Sequence, residues 1–204
     1  MKSKKGKWGY KFYCVCDPQP GYFIDYLLYI GQGTVKPVYG LTVDVVHQLV
    51  TDATLEGSGV TLVADNYYSS PKLVAILATM GIRYIGTCQL ARKGFPSNLL
   101  IFPKRAREDN RGKIKAASLT LNAVNQSFPN LKIVAVAWKD NQVTDFVGSA
   151  NSLEKTQWVR KTGKGGKRLV DAPMIAKVYS DYMGGVDRGD QSKVDIQSTS
   201  RCRP

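Results

Sequence analysis

Cysteine and histidine are scarce in this chain, and their scarcity excludes several kinds of site. The 204 residues hold four cysteines and one histidine, His47. No two cysteines have the C-x-x-C spacing typical of zinc sites, so the sequence argues against a Cys/His zinc centre. A Ser-His or Cys-His nucleophile pair would need His47, which falls on the polar face of a predicted helix and is expected to be exposed. We expect an intracellular protein with reduced thiols.

Long apolar runs and nucleotide-binding motifs are also lacking. No apolar run approaches the roughly 18 residues that cross a bilayer, and we expect no membrane association. The Lys-rich start leads into no apolar core of the signal-peptide type. The segment TGKGGK at residues 162–167 lacks the spacing of a phosphate-binding P-loop and a preceding strand. We therefore expect no small-molecule substrate.

Positive charge, by contrast, is abundant and clustered. Lysine and arginine total 29 against 16 acids, giving a formal net charge of +13. Three segments, residues 1–11, 83–115 and 154–168, hold 20 of these 29 cations. Such clusters favour a polyanionic partner, and DNA is our prediction, although a basic run can also be a solvated loop. The candidate DNA-binding side chains are Arg92, Lys93, Lys104, Arg105, Arg107 and Arg111.

The order of predicted elements indicates a mixed α/β fold. Two aromatic runs joined by the turn 17–21 predict a hairpin, and residues 41–54 have a helical apolar face. The apolar run at residues 60–64 predicts a strand buried on both faces. Ser69 or Ser70 is expected to cap a helix that begins at Pro71 and ends at Gly81, before a strand at 82–90.

A change of composition at Ala91 predicts a division of the chain. Residues 1–90 are interpreted as the first part of a core, and residues 91–172 as a basic inserted subdomain with strands at 131–138 and 142–149. Residues 173–191 would close the core through a Gly-Gly turn and a helix, and residues 192–204 would form a frayed tail. On this interpretation 60–64 is an interior strand between the two helices, and most of 91–172 lies outside the main sheet.

Carboxylates are the best candidates for chemistry. Asp65 directly follows the predicted strand 60–64, and ligands of α/β sheets collect at the carboxyl ends of strands. An acid there can also be a simple helix cap or loop residue. Asp187 and Asp190, three apart on a predicted helix, share a face, and a divalent cation or a nearby base would relieve their repulsion. They can equally be a solvated first turn that complements the helix dipole.

Three segments resemble, in collinear order, conserved blocks of piggyBac-type transposases. VADNYYSSPKLVAILATMGIRYIGTCQLARKGFP resembles the second block, YSDYMGGVDRGDQ the closing block, and KGKWGYKFYCVCDPQPGYFIDYLLYIGQG the stretch that follows the first block. The resemblance covers roughly residues 5–191. Its most specific elements are the DNxYxS and GGVDxxDQ patterns.

The resemblance implies a ribonuclease H-like core with an inserted domain, which cuts and joins DNA with Mg²⁺ or Mn²⁺. It places the second catalytic carboxylate on Asp65 and the third on Asp187, with Asp190 as a further metal-binding acid. The first catalytic aspartate has no counterpart, and the family's cysteine-rich C-terminal region is not matched by residues 192–204. We therefore expect weak metal binding and little or no cleavage by this chain alone.

Three interpretations remain open from the sequence. The first is a nuclear DNA-binding domain derived from a cut-and-paste transposase, catalytically incomplete and compatible with a homodimer. The second is a domesticated DNA-binding or chromatin-associated protein that keeps the fold without the chemistry. The third is an incomplete gene product. DNA binding without metal would favour the second over the first.

Overall fold

The computed structural model describes residues 10–19, 21–102, 111–122, 130–149, 153–161 and 165–191, with backbone alone at 121, 122, 130 and 131. The strands are β1 (Phe12–Asp17), β2 (Tyr22–Leu28), β3 (Thr61–Ala64), β4 (Arg83–Thr87), β5 (Ile114–Asn122), β6 (Asn130–Lys139), β7 (Val143–Gly148), β8 (Lys155–Lys161) and β9 (Lys167–Pro173). The helices are α1 (Leu41–Asp52), α2 (Pro71–Thr79), α3 (Ser97–Leu100) and α4 (Met174–Tyr182). A further helical segment spans residues 185–191. None of the described helices is long and apolar enough to span a membrane.

The chain divides into two compact units. Of the described residues, those in the ranges 10–55 and 184–191 form the first unit, and those between 56 and 183 form the second. This division differs from the predicted boundaries at residues 91 and 172, because the segment after residue 91 supplies strands to the same sheet as the segment before it.

In the first unit, β1 and β2 form the predicted antiparallel hairpin, with a bulge between Val15 and Cys16. Tyr13 and Val15 point to the buried side of the hairpin. The predicted helix is also present as α1, which contacts both strands. It buries five apolar side chains, namely Val43, Val45, Val46, Leu49 and Val50.

Two polar residues of α1 differ from their predicted exposure. The helical period of residues 41–54 places Asp44 on the polar face with His47, but Asp44 is only 5% exposed. Its carboxylate accepts hydrogen bonds from the backbone N–H groups of Val38, Tyr39 and Gly40 at 3.1, 2.8 and 2.9 Å, respectively. The preceding loop folds over the first turn, so the helical period alone misassigned this side chain. His47 is half-buried, with its ring centroid 6.0 Å from that of Tyr39.

In the second unit, five strands form one mixed sheet in the order β3-β4-β7-β6-β5. β3 and β4 are parallel, and the other neighbouring pairs are antiparallel. The prediction that the strands at 131–138 and 142–149 belong to a separate subdomain is therefore wrong, because β6 and β7, together with β5, are strands of this same sheet. A change of charge reports which side chains face solvent, and it does not report which backbone a strand pairs with.

The predicted interior position of the strand at 60–64 is also corrected. Among the described strands, β3 stands at the end of the sheet order, and its residues are exposed or half-buried. An apolar run indicates that both faces of a strand are covered, but it carries no information about how many of its edges are paired.

The sheet of the second unit carries elements on both faces. Ile85 packs with Ile175 and Ala176 of α4 in a core cluster. The adjacent Tyr84 points to the opposite face, where its hydroxyl lies 2.7 Å from Ser69 Oγ, just before α2. The β8–β9 hairpin packs on the α4 side, where Val170 and Ala172 join the same cluster.

The predicted start and end of α2 are confirmed. Ser70 is the N-cap, and its hydroxyl accepts the Leu73 N–H at 3.1 Å, while Pro71 occupies the first turn. Gly81 follows the helix with a φ of +73°, in the left-handed region where a side chain would be strained. This tight turn places Ile82 directly before the start of β4.

Candidate functional site

Asp65 lies at the carboxyl end of β3, as predicted. It is half-buried, and its Oδ1 accepts the Tyr67 N–H at 3.0 Å. Its backbone carbonyl accepts both the Ser69 N–H at 3.2 Å and the Ser69 hydroxyl at 2.8 Å. The carboxylate therefore stabilises the turn between β3 and α2. Only Oδ1 makes a hydrogen bond to another of the residues described, which leaves Oδ2 available to a ligand.

The loop that follows Asp65 is held by Arg92. The guanidinium Nη2 donates to the carbonyl oxygens of Asn66 and Tyr67 at 2.6 and 3.2 Å, respectively. Arg92 was predicted to contact DNA, and in the structure these two bonds give it a positioning role for the Asp65 loop. Its neighbour Lys93 is exposed.

Two tyrosines respond to the charge of Asp65. Burial raises the pKa of Tyr179, a hydrogen bond from Thr87 opposes this rise, and the Asp65 carboxylate adds to it. The two hydroxyl oxygens of Thr87 and Tyr179 are 3.4 Å apart. Burial likewise raises the pKa of Tyr84, with a smaller contribution from Asp65. These hydroxyls therefore stay protonated and can donate hydrogen bonds at this end of the sheet.

Asp187 and Asp190 lie in the helical segment 185–191, in the other unit. Both are exposed, and at 100° per residue their side chains are about 60° apart around the helix. This angle is consistent with the prediction that Asp187 and Asp190 share a helix face. The segment also begins after a turn at residues 183–184, close to the predicted Gly-Gly turn.

Glycines set the position of this helical segment within its unit. A Cβ on Gly185 would lie 2.8 Å from Cys16 Sγ and 3.0 Å from Pro18 Cα. A Cβ on Gly189 would lie 2.5 Å from a ring carbon of Phe23 and 2.6 Å from the Gly21 carbonyl oxygen. Arg188 adds a hydrogen bond from Nε to the Pro18 carbonyl at 2.8 Å. One face thus rests on the β1–β2 turn, and Asp187 points away from it.

The candidate carboxylates are the type of ligand that a hard divalent cation prefers, but they do not by themselves form a complete metal site. Mg²⁺ and Mn²⁺ prefer carboxylate oxygens, and Asp65, Asp187 and Asp190 supply them. Within the described part of the chain, no group of three or more His, Cys, Asp or Glu side chains is close enough to hold a metal ion. Asp65 belongs to the second unit, and Asp187 and Asp190 belong to the first, so a site shared by Asp65 and Asp187 stays a prediction.

The predicted DNA-binding cations have different surroundings. Lys104, Arg105 and Arg107 lie outside the described residues. Arg111 is half-buried, and its Nε donates to Asp140 Oδ1 at 2.6 Å. Asp140 also forms an ion pair with Arg160, whose Nε is 3.1 Å from Oδ2 but without hydrogen-bond geometry. Asp140 therefore neutralises much of the charge of Arg111.

The sequence interpretation missed a basic groove in the second unit. It has a volume of about 400 Å³ and includes Lys113, Lys155 and Arg168 beside Arg111. These cations come from two of the three basic segments, 83–115 and 154–168, so the clustering of charge was the available signal. Nothing in the sequence showed that the two segments lie side by side.

Comparisons with known proteins agree with this architecture. The family model described as "Transposase IS4", of the DDE type, matches residues 1–203. The human PiggyBac transposable element-derived protein 3 is 25% identical over 205 residues, which cover 94% of this chain and 31% of that protein. The human chimeric ERCC6-PGBD3 protein is also 25% identical, over 94% of this chain and 17% of its own length.

A solved structure has the same fold. The cryo-EM structure of the piggyBac transposase synaptic complex with hairpin DNA matches with a TM-score of 0.64 and 21% sequence identity, covering 94% of this chain and 35% of that one. The chain thus spans about a third or less of the length of these relatives. Because the family model matches nearly the whole sequence, the chain belongs to the piggyBac-type transposase family.

Proposed function

We propose that this chain is a DNA-binding domain derived from a cut-and-paste transposase, with a ribonuclease H-like core. Asp65 and Asp187 are its metal-binding catalytic carboxylates, and Asp190 contributes at the rim of the site. The observation that carries the proposal is the half-buried Asp65 carboxylate at the end of β3, together with a family match over residues 1–203. DNA is the partner, and a nuclear location and a homodimer belong to the same proposal.

The residues around Asp65 have defined tasks in this proposal. The Tyr67 N–H orients the carboxylate through Oδ1, and Arg92 fixes the loop by its two bonds to backbone carbonyls. When bound, Mg²⁺ or Mn²⁺ would activate a water or 3′-hydroxyl and stabilise the leaving oxygen of a phosphodiester. Asp187 and Asp190 would supply further oxygen ligands, from a helical segment fixed against β1–β2 by glycine contacts.

Weak chemistry by this chain alone is part of the proposal. A hard divalent cation takes six or more oxygen ligands, and two or three aspartates would leave most of them to water. We therefore expect low metal affinity and undetectable or very slow strand cleavage with Mg²⁺.

Iron-directed backbone cleavage tests the site without relying on activity. Fe²⁺ bound in place of Mg²⁺, with ascorbate and peroxide, cuts polypeptide near the ion. We expect cuts beside both Asp65 and Asp187, suppressed by excess Mg²⁺ or Mn²⁺. Asp65→Asn should remove both sets of cuts, because one ion produces them, and Asp52→Asn, an exposed acid of α1, should remove neither.

Two outcomes would contradict the site. Cuts beside Asp187 that persist in Asp65→Asn would show that the two acids do not share an ion. Robust strand cleavage by the wild-type chain that survives Asp65→Asn would place the chemistry on other residues.

A second function, DNA binding without any chemistry, is supported by the basic groove of the second unit. Its cations lie on strands and a turn that do not include the candidate acids. On this alternative, DNA affinity would be the same with divalent metal and with EDTA, and Asp65→Asn would leave it unchanged.

A further inference from the structure

The basic groove brings together side chains that are far apart in sequence. Its walls are residues 111–114, at the start of β5, and residues 168–171 of β9 with Lys155 of β8. Among the described residues, four cations line it, Arg111, Lys113, Lys155 and Arg168, together with one acid, Asp171. Folding therefore concentrates positive charge where an unfolded chain would keep it separated, which is unfavourable unless an anion is bound.

Most of this charge forms no ion pair with the described residues. In the part of the chain that the structure describes, ion pairs join Arg111 and Arg160 to Asp140, and Lys177 to Asp181. Lys113, Lys155 and Arg168 take part in none of these pairs, and all three are exposed. Three cations thus remain for a ligand, while Arg111 is fixed by Asp140.

Gly112 brings the two walls together. Its φ is +92°, and a Cβ there would lie 3.2 Å from both the Asp171 nitrogen and Val170 Cγ1. The Gly112 N–H donates to the Lys139 carbonyl at 2.7 Å, and Trp138 Nε1 donates to the Asp171 carbonyl at 2.8 Å. Both walls of the groove are therefore fixed by hydrogen bonds to Trp138 and Lys139, the last two residues of β6.

We propose that this groove binds the phosphate backbone of duplex DNA through Lys113, Lys155 and Arg168. This inference rests on DNA binding, which both functions proposed above share, and it names a contact surface for that binding. An open groove lined by cations from two segments suits successive phosphates of a polymer. Contacts of exposed lysine and arginine side chains with phosphates supply affinity for DNA but no preference for its base sequence.

Salt-dependent DNA binding tests the groove. Affinity of the 204-residue chain for a 30-base-pair duplex is measured by fluorescence anisotropy in EDTA, between 50 and 200 mM salt. The double variant Lys155→Gln, Arg168→Gln removes two phosphate contacts, so the slope of log affinity against log salt should become shallower by about 1.8. At about 100 mM salt we expect at least roughly tenfold weaker binding to duplexes of unrelated sequence. Circular dichroism verifies folding.

A matched control removes the same charge elsewhere in the unit. Lys72→Gln with Lys177→Gln changes one residue each on α2 and α4, outside the groove lining. We expect the control to change the slope much less than the groove variant. Equal effects of the two double variants would overturn the groove and leave only a diffuse basic surface.

Competition distinguishes DNA from a small phosphorylated ligand. Inorganic pyrophosphate is titrated against the wild-type chain and the groove variant. Ionic strength is matched in all titrations, so that pyrophosphate does not displace DNA merely by raising the salt concentration. Under these conditions we expect pyrophosphate to compete only weakly with DNA. Tight pyrophosphate binding lost in the groove variant, with DNA affinity unchanged, would assign the groove to a small ligand. Because these measurements contain no divalent metal, they stand or fall separately from the Asp65 and Asp187 site.

Discussion

The two hairpins of the molecule, β1–β2 and β8–β9, share a backbone architecture but present opposite chemistry. Each is a two-stranded antiparallel sheet separate from the five-stranded sheet. β1–β2 exposes apolar side chains on one face, including Tyr22, Tyr26 and Phe12 at 69, 61 and 47% exposure. β8–β9 exposes cations, namely Lys155, Lys161, Lys167 and Arg168.

The two hairpins are also attached to their own units in different ways. β1–β2 meets the helical segment 185–191 through near-contact of backbones at Gly21 and Gly189. β8–β9 is attached through side chains as well as through the approach of Gly112 to Asp171. The rings of Trp138 and Trp158 are stacked at 5.8 Å, and Arg160 lies 3.8 Å above Trp158. A backbone contact fixes position closely, which suits a segment that presents acids. A stacked contact instead buries ring area on one face of the hairpin, and the opposite face can then carry charged side chains.

The largest effect is expected from removing the stacked contact. Trp138 is 3% exposed, and Trp138→Ala would lose its ring packing and its hydrogen bond to Asp171. We expect the free energy of unfolding, measured by urea denaturation, to fall by about 3–5 kcal/mol. Trp138→Phe keeps part of the ring area and should cost clearly less. Equal losses in the two variants would mean that the hydrogen bond, and not the stack, attaches the hairpin.

A smaller effect is expected from the glycine contact. Gly189→Ala adds a methyl group 2.6 Å from the Gly21 carbonyl, so the backbone must move. Overpacking costs about 1–3 kcal/mol, and the higher helix propensity of alanine returns up to about 1 kcal/mol. We expect a net loss of about 1–2 kcal/mol in urea denaturation.

Gly33→Ala is the control for this change. Its added Cβ would have only Ile30 Cδ1 near it, at 3.8 Å, so it should be neutral or slightly stabilising. An unchanged free energy of unfolding in Gly189→Ala would show that the helical segment is not held against the hairpin by this contact.

Local signals in the sequence predicted the elements that depend on them. The turn at 17–21 predicted β1–β2, and Ser70-Pro71 with Gly81 predicted the ends of α2. Gly184-Gly185 predicted the start of the last helical segment. In each case a few neighbouring residues decide the backbone conformation, so no knowledge of distant partners was needed.

Elements that depend on distant partners were missed. β5 and β8 are mostly exposed, and their sequences IKAASLTLN and KTQWVRK lack a regular apolar alternation. Membership of β6 and β7 in the main sheet depends on pairing between Phe146 and Thr87, which are far apart in the chain. The candidate acids came from the Asp65 strand end and the family resemblance. Neither source predicted the groove, because residues 111 and 168 are far apart in the sequence and lie close together only in the folded chain.

The smallest expected effect concerns two carboxylates with buried oxygen atoms, one in each unit. Asp44 accepts three backbone N–H bonds, whereas Oδ1 of Asp145 on β7 is buried with no hydrogen-bond partner among the described residues. Burial raises the pKa of Asp145 from 3.8 to about 6. The folded state therefore holds this proton more tightly than the unfolded state, so stability falls as pH rises from about 4 to about 6.

Asp145→Asn should remove the loss of stability that ionisation of Asp145 causes above about pH 4. Because Asp145 is only half-buried, we discount the effect to about 1 kcal/mol of added stability at pH 7.5, vanishing below about pH 4. Urea denaturation of the wild-type chain and the variant at both pH values measures it. Asp44→Asn is the counterpart, and it should be destabilising at pH 7.5 because its amide nitrogen cannot accept from the loop N–H groups. Stabilisation by Asp145→Asn that is equal at pH 7.5 and pH 4 would show that ionisation of Asp145 is not its cause.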